Sequence, residues 1–416
     1  MKRLALALLL VASMAGVFFY VGMIRTSEYH RLVEAGDAAL AQHDPFRAIE
    51  AFSGAIALRR DAMLAHLKRG ETYYERGELA AALRDLTQAH VLAPGAARPL
   101  EALGDVSREL GRHDDAVQHY AAYLALDEDT PRVLYKLALS HHHAGRGARV
   151  IPLLRQAIEL SPNMAEAQYL LGLALRGQDR QEEAIDALRQ AVALSPGFTT
   201  AREALGAVLG VAGRRDERIA QLEALAALEP EQSQHDVDLG LAYAAVGRTD
   251  MAVLSLGRAS EEHPEEAQIY AALGRVWLDI AGGTNDHIAL TKSLEALRST
   301  SHATASSEAL TLLARALLLA EEVDEAVALL ELAIQRYPVD PSAFLELATV
   351  MEHAGDLVRA RDLLLAHDAI TAYLPEEDRS PRLRRIAGLR RALDSAANAA
   401  RDDAAPARLP QVGPRC

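Results

Sequence analysis

The sequence predicts an all-α fold, a solenoid of stacked helical hairpins, on three observations. Half of the 416 residues are hydrophobic but only 5% are aromatic, and Ala and Leu dominate the apolar residues, which favours helices over strands. Small residues recur every 34 positions through most of the chain, and prolines close several of these intervals. A fixed period of this length is typical of architectures in which each short unit packs only on its neighbours.

The period is set by small anchor residues. The anchors are Gly36, Gly70, Gly104, Ala138, Gly172, Gly206, Gly240 and Gly274, and Ala314 and Ala348 continue the series after one interval of 40 residues. Further small residues follow twelve and nineteen positions after most anchors, as Ala82 and Ala89 follow Gly70. Two helices that approach closely need small side chains where the anchor meets the residue twelve positions later. The pattern therefore predicts about ten helix-turn-helix repeats over residues 29–374.

This pattern resembles the signature of the tetratricopeptide repeat (TPR) family, which has Gly or Ala, Tyr, Ala, Phe, Ala and Pro at these offsets in a 34-residue unit. The second repeat matches it best, with Gly70, Tyr73, Ala82, Ala89 and Pro94. The resemblance implies a right-handed superhelix of antiparallel helix pairs with a concave groove. It specifies an architecture and leaves the function open.

The first 25 residues are predicted to be a transmembrane signal-anchor. Lys2 and Arg3 precede an uncharged, mostly apolar run over residues 4–24, which as a helix would cross the roughly 30 Å of a bilayer core. A cleaved signal peptide is the alternative, because small residues near residue 15 fit a cleavage site.

The flanking charges mildly favour an amino terminus inside and the repeats outside. The strong preference for Arg over Lys indicates a bacterial genome. We therefore expect a single-pass protein of a bacterial inner membrane with a periplasmic array. The alternatives are an array on the cytoplasmic side, or secretion after signal cleavage.

Two features divide the array. An insertion near residues 282–286 separates the two helices of repeat eight, and a Ser/Thr-rich stretch follows it. We expect repeats one to eight over residues 29–303 and repeats nine and ten over residues 307–374.

A helix over residues 381–397 is predicted to cap the last repeat. Its apolar stripe consists of Leu383, Ile386, Leu389 and Leu393, and a terminal repeat needs such a cover. Its other face carries Arg382, Arg384, Arg385, Arg390 and Arg391, which leaves an anionic partner as an alternative role. The tail, residues 398–416, is rich in Pro and Ala and is expected to be disordered.

Charge and motifs argue against several function classes. The chain has 58 acidic and 44 basic residues, a net charge of −14, so it repels nucleic acid. Its only cysteine is Cys416, which leaves no Cys-based metal knuckle. The sequence contains no phosphate-binding loop, metalloprotease motif or nucleophile elbow. The consecutive histidines 141–143 point about 100° apart on a helix and are interpreted as solvated. We expect no enzyme activity, no cofactor and no metal.

The resemblance places the ligand of TPR proteins along the first helices of the repeats. In repeats two to five the corresponding positions carry tyrosines, arginines and a histidine, residue types of which Tyr and Arg are enriched in binding hot spots. The predicted partner-binding groove consists of Tyr74, Arg98, Arg108, Arg132, Tyr135, His142, Tyr169 and Arg176. Ordinary solvated helix faces are the simpler alternative.

The leading functional hypothesis is a membrane-tethered scaffold or adaptor that binds protein partners through this groove, because tethering raises the effective concentration. The layout resembles anchored TPR proteins of bacterial envelope assembly, which serve polysaccharide export, pilus biogenesis or cytochrome c biogenesis. It also resembles cytoplasm-facing TPR regulators of lipopolysaccharide assembly, but the chain lacks their paired Cys-x-x-Cys knuckles. The alternative from another class is an accessory subunit that binds a polysaccharide or lipid-linked substrate directly.

Overall fold

The computed structural model describes the backbone of residues 2–284, 286–300 and 305–403. Side chains are described at residues 13–14, 19–284, 286–300, 305–375 and 378–395. Most of the apolar run at residues 4–24 lies outside the described side chains, and residues 404–416 of the predicted tail lie outside the described residues altogether. Within the described ranges, no helix combines the length and apolar character needed to cross a membrane. The anchor therefore stays a prediction.

The regular structure of the described residues is helical, which confirms the all-α class. The chain divides into two compact units, residues 1–212 and 213–416, which we call the N-terminal half and the C-terminal half and describe separately. The N-terminal half contains α1 (Lys2–Ala41), α2 (Pro45–Leu58), α3 (Met63–Glu75), α4 (Leu79–Leu92), α5 (Ala97–Glu109), α6 (His113–Leu124), α7 (Pro131–His143), α8 (Gly147–Leu160), α9 (Ala165–Arg176), α10 (Gln181–Leu194) and α11 (Thr199–Val211).

The C-terminal half contains the remaining ten helices. They are α12 (Arg215–Leu228), α13 (Ser233–Ala245), α14 (Thr249–Glu262), α15 (Ala267–Thr284), α16 (His287–Arg298), α17 (Ser307–Leu319), α18 (Val323–Ala333), α19 (Pro341–His353), α20 (Leu357–Ile370) and α21 (Glu376–Asp403). Helices pair in sequence order, odd with even, as the ten predicted repeats require. The sixth pair, α11 and α12, spans the boundary between the halves.

The array begins where the sequence predicts. Residues 19–27 of α1 are exposed, whereas Tyr29 and Val33 are buried against Ala55 of α2. The burial of these apolar side chains on a neighbouring helix marks the start of repeat one.

Each glycine anchor faces a large side chain sixteen positions later. A methyl group on Gly104 would lie 2.3 Å from the ring of Tyr120, and one on Gly70 would lie 2.8 Å from Leu86. The residue twelve positions after the anchor is also buried, with Ala82 and Ala184 at 0% exposure. The sequence-based expectation that the anchor meets this small residue is therefore corrected. The anchor makes room for the bulky side chain about one helical turn further on.

The turn inside each repeat is a second periodic feature, which the sequence analysis missed. It places a residue in the left-handed region seven positions after the anchor. These residues are His43, Gly77, Gly111, Gly145, Asp179, Gly213, Gly247, Glu321 and Gly355. In repeat two, the N–H groups of Gly77 and Glu78 donate to the carbonyls of Tyr74 and Tyr73 at 2.9 and 2.8 Å. These bonds satisfy carbonyl groups at the end of α3.

Repeat eight departs from the others at this turn. Ala281 occupies the turn position but lies inside α15, which runs to Thr284 and has 18 residues, against 13 in α13. Asp286 then caps α16 by accepting from the N–H of Ile288 at 2.8 Å. The insertion therefore lengthens the hairpin at its turn, largely as helix, and does not form a separate loop.

Helix α21 covers repeat ten. It begins and ends beyond the predicted residues 381–397, so residues 398–403 are helical and the tail prediction is wrong there. Ile386 and Leu389 are buried in one core with Leu364 of α20. Arg385, predicted on the open basic face, donates to Glu352 at 2.8 Å instead. An amphipathic helix that buries its apolar side chains against a terminal repeat is a cap.

Candidate functional site

The first helices of repeats one to four are joined by a row of ion pairs. Lys68 Nζ lies 2.7 Å from Asp37, Arg98 makes two 2.8 Å hydrogen bonds to Glu71, and Arg132 donates to Glu101 at 2.8 Å. In each pair the basic residue is on the later helix. Two of the predicted groove residues, Arg98 and Arg132, therefore belong to this row.

The two members of these pairs are unequally exposed. The side chains of Arg98 and Arg132 are 65% and 66% exposed, whereas those of Glu71 and Glu101 are 27% and 12% exposed. The face thus presents guanidinium groups to solvent above partly buried carboxylates. Each arginine keeps donors free for a partner, because a guanidinium carries five.

Lys136 completes the row and was missed by sequence reasoning. Its ammonium group lies 2.8 Å from Glu101 and 2.7 Å from Asp105. Glu101 and Asp105 stand four positions apart on α5, as Arg132 and Lys136 do on α7. The acid-to-base offset of 31 residues is also that of Asp37 and Lys68, and this recurring offset is the signal that would have identified the row.

Arg108 lies among three tyrosines from neighbouring helices. Burial raises the pKa of Tyr74, of Tyr120 and of Tyr135, and the positive charge of Arg108 opposes that rise at each of them. Tyr120 donates its hydroxyl hydrogen to Asp105 at 2.7 Å. All three phenols are therefore neutral at physiological pH, and the predicted residues Tyr74, Arg108 and Tyr135 form one cluster.

The other predicted residues extend this cluster unevenly. Tyr169 on α9 raises the pKa of Tyr135 by its proximity, after the larger effect of burial, and its ring packs on Phe198 at 5.1 Å. Arg176 is exposed at the end of α9 and has no hydrogen-bond or ion-pair partner within the described residues. We call the face of Tyr74, Arg108, Tyr135 and Tyr169, with Arg98 and Arg132, the arginine–tyrosine face.

The histidines at the end of α7 differ from one another. His142 is exposed, and its ring lies 5.9 Å from that of His143, which stacks on His113 of α6 at 5.2 Å. His141 is only 6% exposed, so its interpretation as solvated is wrong. Because successive helical residues point in different directions, one of three adjacent histidines faces the core.

The chemistry of the face suits binding. Neutral phenols and guanidinium groups offer hydrogen-bond donors, aromatic surface and positive charge, which are features of interaction hot spots. Stacked helical hairpins with such a face define a helical-repeat binding protein.

The repeat family follows from a comparison with family models. The model for the tetratricopeptide repeat matches residues 33–99, 101–149, 151–197, 292–341 and 311–375, together more than half of the chain. The protein belongs to the tetratricopeptide repeat family. Proteins with this fold are typically scaffolds for protein–protein interaction and not enzymes.

Solved structures with similar folds are also repeat proteins. The C-terminal part of a TPR protein from Cytophaga hutchinsonii aligns with a TM-score of 0.51 and 15% identity, over 58% of this chain and 98% of that chain. Yeast Tom70 aligns with a TM-score of 0.46 and 14% identity, over 89% and 97%. YrrB, described as a TPR protein with an unusual peptide-binding site, aligns with a TM-score of 0.41 and 21% identity, over 45% and 97%. At these identities the likeness concerns the fold. No curated protein matches the chain.

Proposed function

We propose that the protein is a membrane-tethered scaffold that binds an acidic segment of a protein partner on its arginine–tyrosine face. The observation that carries the proposal is the unequal exposure of the ion pairs. A partner meets Arg98 and Arg132 at 65% and 66% exposure before it meets the carboxylates beneath them. Exposed guanidinium groups beside neutral phenols suit a carboxylate-bearing peptide, because an arginine can donate two parallel hydrogen bonds to a carboxylate.

The test replaces Arg132, Tyr135, Tyr169 and Arg176 together by Ala in the full chain. Partner recovery by cross-linking in native membranes should fall strongly, while helicity and melting stay near wild type, since exposed substitutions usually change stability by about ±0.5 kcal/mol. The matched control replaces Arg84 and Arg112, which are exposed outside this face. Unchanged recovery with the quadruple variant would exclude this face as the binding site.

The tether is proposed from the apolar run at residues 4–24. We infer that it holds the array at the periplasmic side of a bacterial inner membrane, in an envelope-assembly system such as polysaccharide export, pilus biogenesis or cytochrome c biogenesis. A phosphatase reporter fused near residue 60 should be active, and the chain should stay in membranes at high salt. An inactive reporter would favour the cytoplasm-facing regulator, and a shortened soluble chain would favour signal cleavage.

A direct role in handling a polysaccharide or lipid-linked substrate is the second candidate. Its support is the row of Tyr74, Tyr135 and Tyr169, because flat aromatic faces beside hydrogen-bond donors also suit sugar rings. Binding of an oligosaccharide to the purified chain, with no protein recovered by cross-linking, would favour this candidate over the scaffold.

A further inference from the structure

A cleft of about 950 Å³ opens in the C-terminal half between α12 and α14, with residues of α13 between them. Its apolar lining includes Ala226, Leu239 and Val253. Leu254 and Met251 also line it and are 67% and 44% exposed. A concave site of this size with a largely apolar lining has the character of a binding site.

Small side chains create the cleft. Ala226 and Ala227 of α12 face it, as does Gly257 of α14. A methyl group on Gly257 would meet no atom within 4 Å. Its helix is nevertheless well packed, with Leu256 at 0% exposure. The open space is therefore a property of the surface and not of a loose core.

The border of the cleft is negatively charged. It carries four carboxylates, of Glu223, Asp236, Glu261 and Glu262, against the one guanidinium of Arg258, which leaves three negative charges. Arg258 pairs with Asp236 at 3.0 Å and lies 3.8 Å from Glu262, and Glu223 accepts the hydroxyl of Tyr243. Glu261 is exposed to solvent at this border.

One polar atom of the lining lacks a partner. Ser255 is 8% exposed, and its Oγ makes no hydrogen bond within the described residues. A buried hydroxyl without a partner is unfavourable, so a ligand that reached it would remove this cost.

We propose that this cleft binds a basic amphipathic helix of a protein partner. Such a helix presents apolar side chains along one face and positive charges at its border. The apolar face would cover Leu239, Val253 and Leu254, and the charges would meet Glu261 and Glu262. The site is distinct from the arginine–tyrosine face, which lies in the other half and suits the opposite charge.

The test uses two synthetic helical peptides with the same leucine pattern, one with Arg and one with Glu on the polar positions. Fluorescence anisotropy with the full chain should show binding of the Arg peptide and not of the Glu peptide. Gly257→Leu fills the empty space without meeting another atom and should weaken binding about tenfold or more. The double substitution Glu261→Lys and Glu262→Lys should weaken it as well.

The matched control is Gly283→Leu, at a helical glycine outside the cleft that also has no atom within 4 Å of an added methyl group. It should bind like wild type, and both leucine variants should melt like wild type or higher because Leu favours helix over Gly. Equal binding of both peptides, or binding that Gly257→Leu leaves unchanged, would overturn the proposal. So would a dimer that Gly257→Leu dissociates, since the occupant would then be a second copy, or tighter peptide binding by a chain that ends at residue 403, since the occupant would then be the tail.

Discussion

Repeats two and eight make the same core contact in hairpins of different length. In repeat two, Gly70 faces Leu86 sixteen residues later, and the chain turns at Gly77. In repeat eight, Gly274 faces Leu297, which is 23 residues later, and α15 continues through the turn position. The contact between anchor and large side chain is therefore what the fold retains, and the length of the hairpin beyond it is free to vary.

The geometry explains why the insertion is tolerated. Leu86 is the eighth residue of α4, whereas Leu297 is the eleventh residue of α16. Three more residues before the contact correspond to about one helical turn, so Leu297 returns to the same face of its helix. The added residues extend the hairpin at its tip, where Ile288 is 69% exposed.

The largest expected effect comes from the contact that the two repeats share. Gly104→Leu and Gly274→Leu should each destabilise the chain strongly, because the first added carbon alone would lie 2.3 Å from Tyr120 or 2.4 Å from Leu297. Overpacking typically costs about 1–3 kcal/mol. Hydrogen exchange should accelerate around the altered repeat first, since solenoid repeats contact only their neighbours.

Gly197→Leu is the control for this pair, because no atom lies within 4 Å of an added methyl group there. If Gly274→Leu behaved like the control, the shared contact of repeats two and eight would be refuted.

The turn should respond with opposite residue preferences in the two repeats. Gly77 has φ +74°, so Gly77→Ala should cost about 1–2 kcal/mol for the left-handed conformation. Ala281 lies inside α15, so Ala281→Gly should cost about 1 kcal/mol in helix propensity. Urea denaturation of both variants checks this. A stabilising effect of Ala281→Gly would show that repeat eight also turns at this position.

The two halves each contain a buried histidine beside arginines, which gives a pH prediction. Burial lowers the pKa of His367, and Arg382 lowers it further while Asp368 and Asp340 oppose this. The unfolded chain therefore binds a proton at this site near the ordinary pKa of 6.5, where the folded chain does not. The stability that the neutral His367 contributes is present above pH 6.5 and falls as the pH drops from 6.5 toward the lowered pKa.

Melting at a series of pH values should show this loss at the C-terminal end, and His367→Gln should reduce it. The exposed neighbour His353 is the control, and His353→Gln should leave the pH profile unchanged. In the N-terminal half, burial and then Arg146 and Arg149 likewise lower the pKa of His141. An identical pH slope for His367→Gln and wild type would contradict the prediction.

The smallest effect is expected within the lengthened hairpin. The Lys292 ammonium lies 4.3 Å from the ring centre of Trp277, the one tryptophan of the sequence. Lys292→Met should lower stability by about 0.5–1 kcal/mol through loss of the cation–π contact. Intrinsic fluorescence reports on this site directly, so an unchanged emission spectrum would mean that the two side chains do not interact.

Much of the fold could be predicted because it depends on local pattern. The recurrence of small residues defines the repeats, and helical periodicity defines the cap, whose Ile386 and Leu389 are buried as expected. The candidate residues Tyr74, Arg108 and Tyr135 lie together because their positions recur with the same period. These properties require only that each repeat pack on the next.

The sequence by itself determined the helical class, the repeat positions and the start of the array at Tyr29. The tertiary structure decided which large side chain fills each anchor, which carboxylate pairs with Arg132, that His141 faces the core, and that Gly257 borders an open cleft. The physical reason is that a period fixes the helix face on which a residue lies, whereas its contacts depend on the shapes and charges of side chains from other helices.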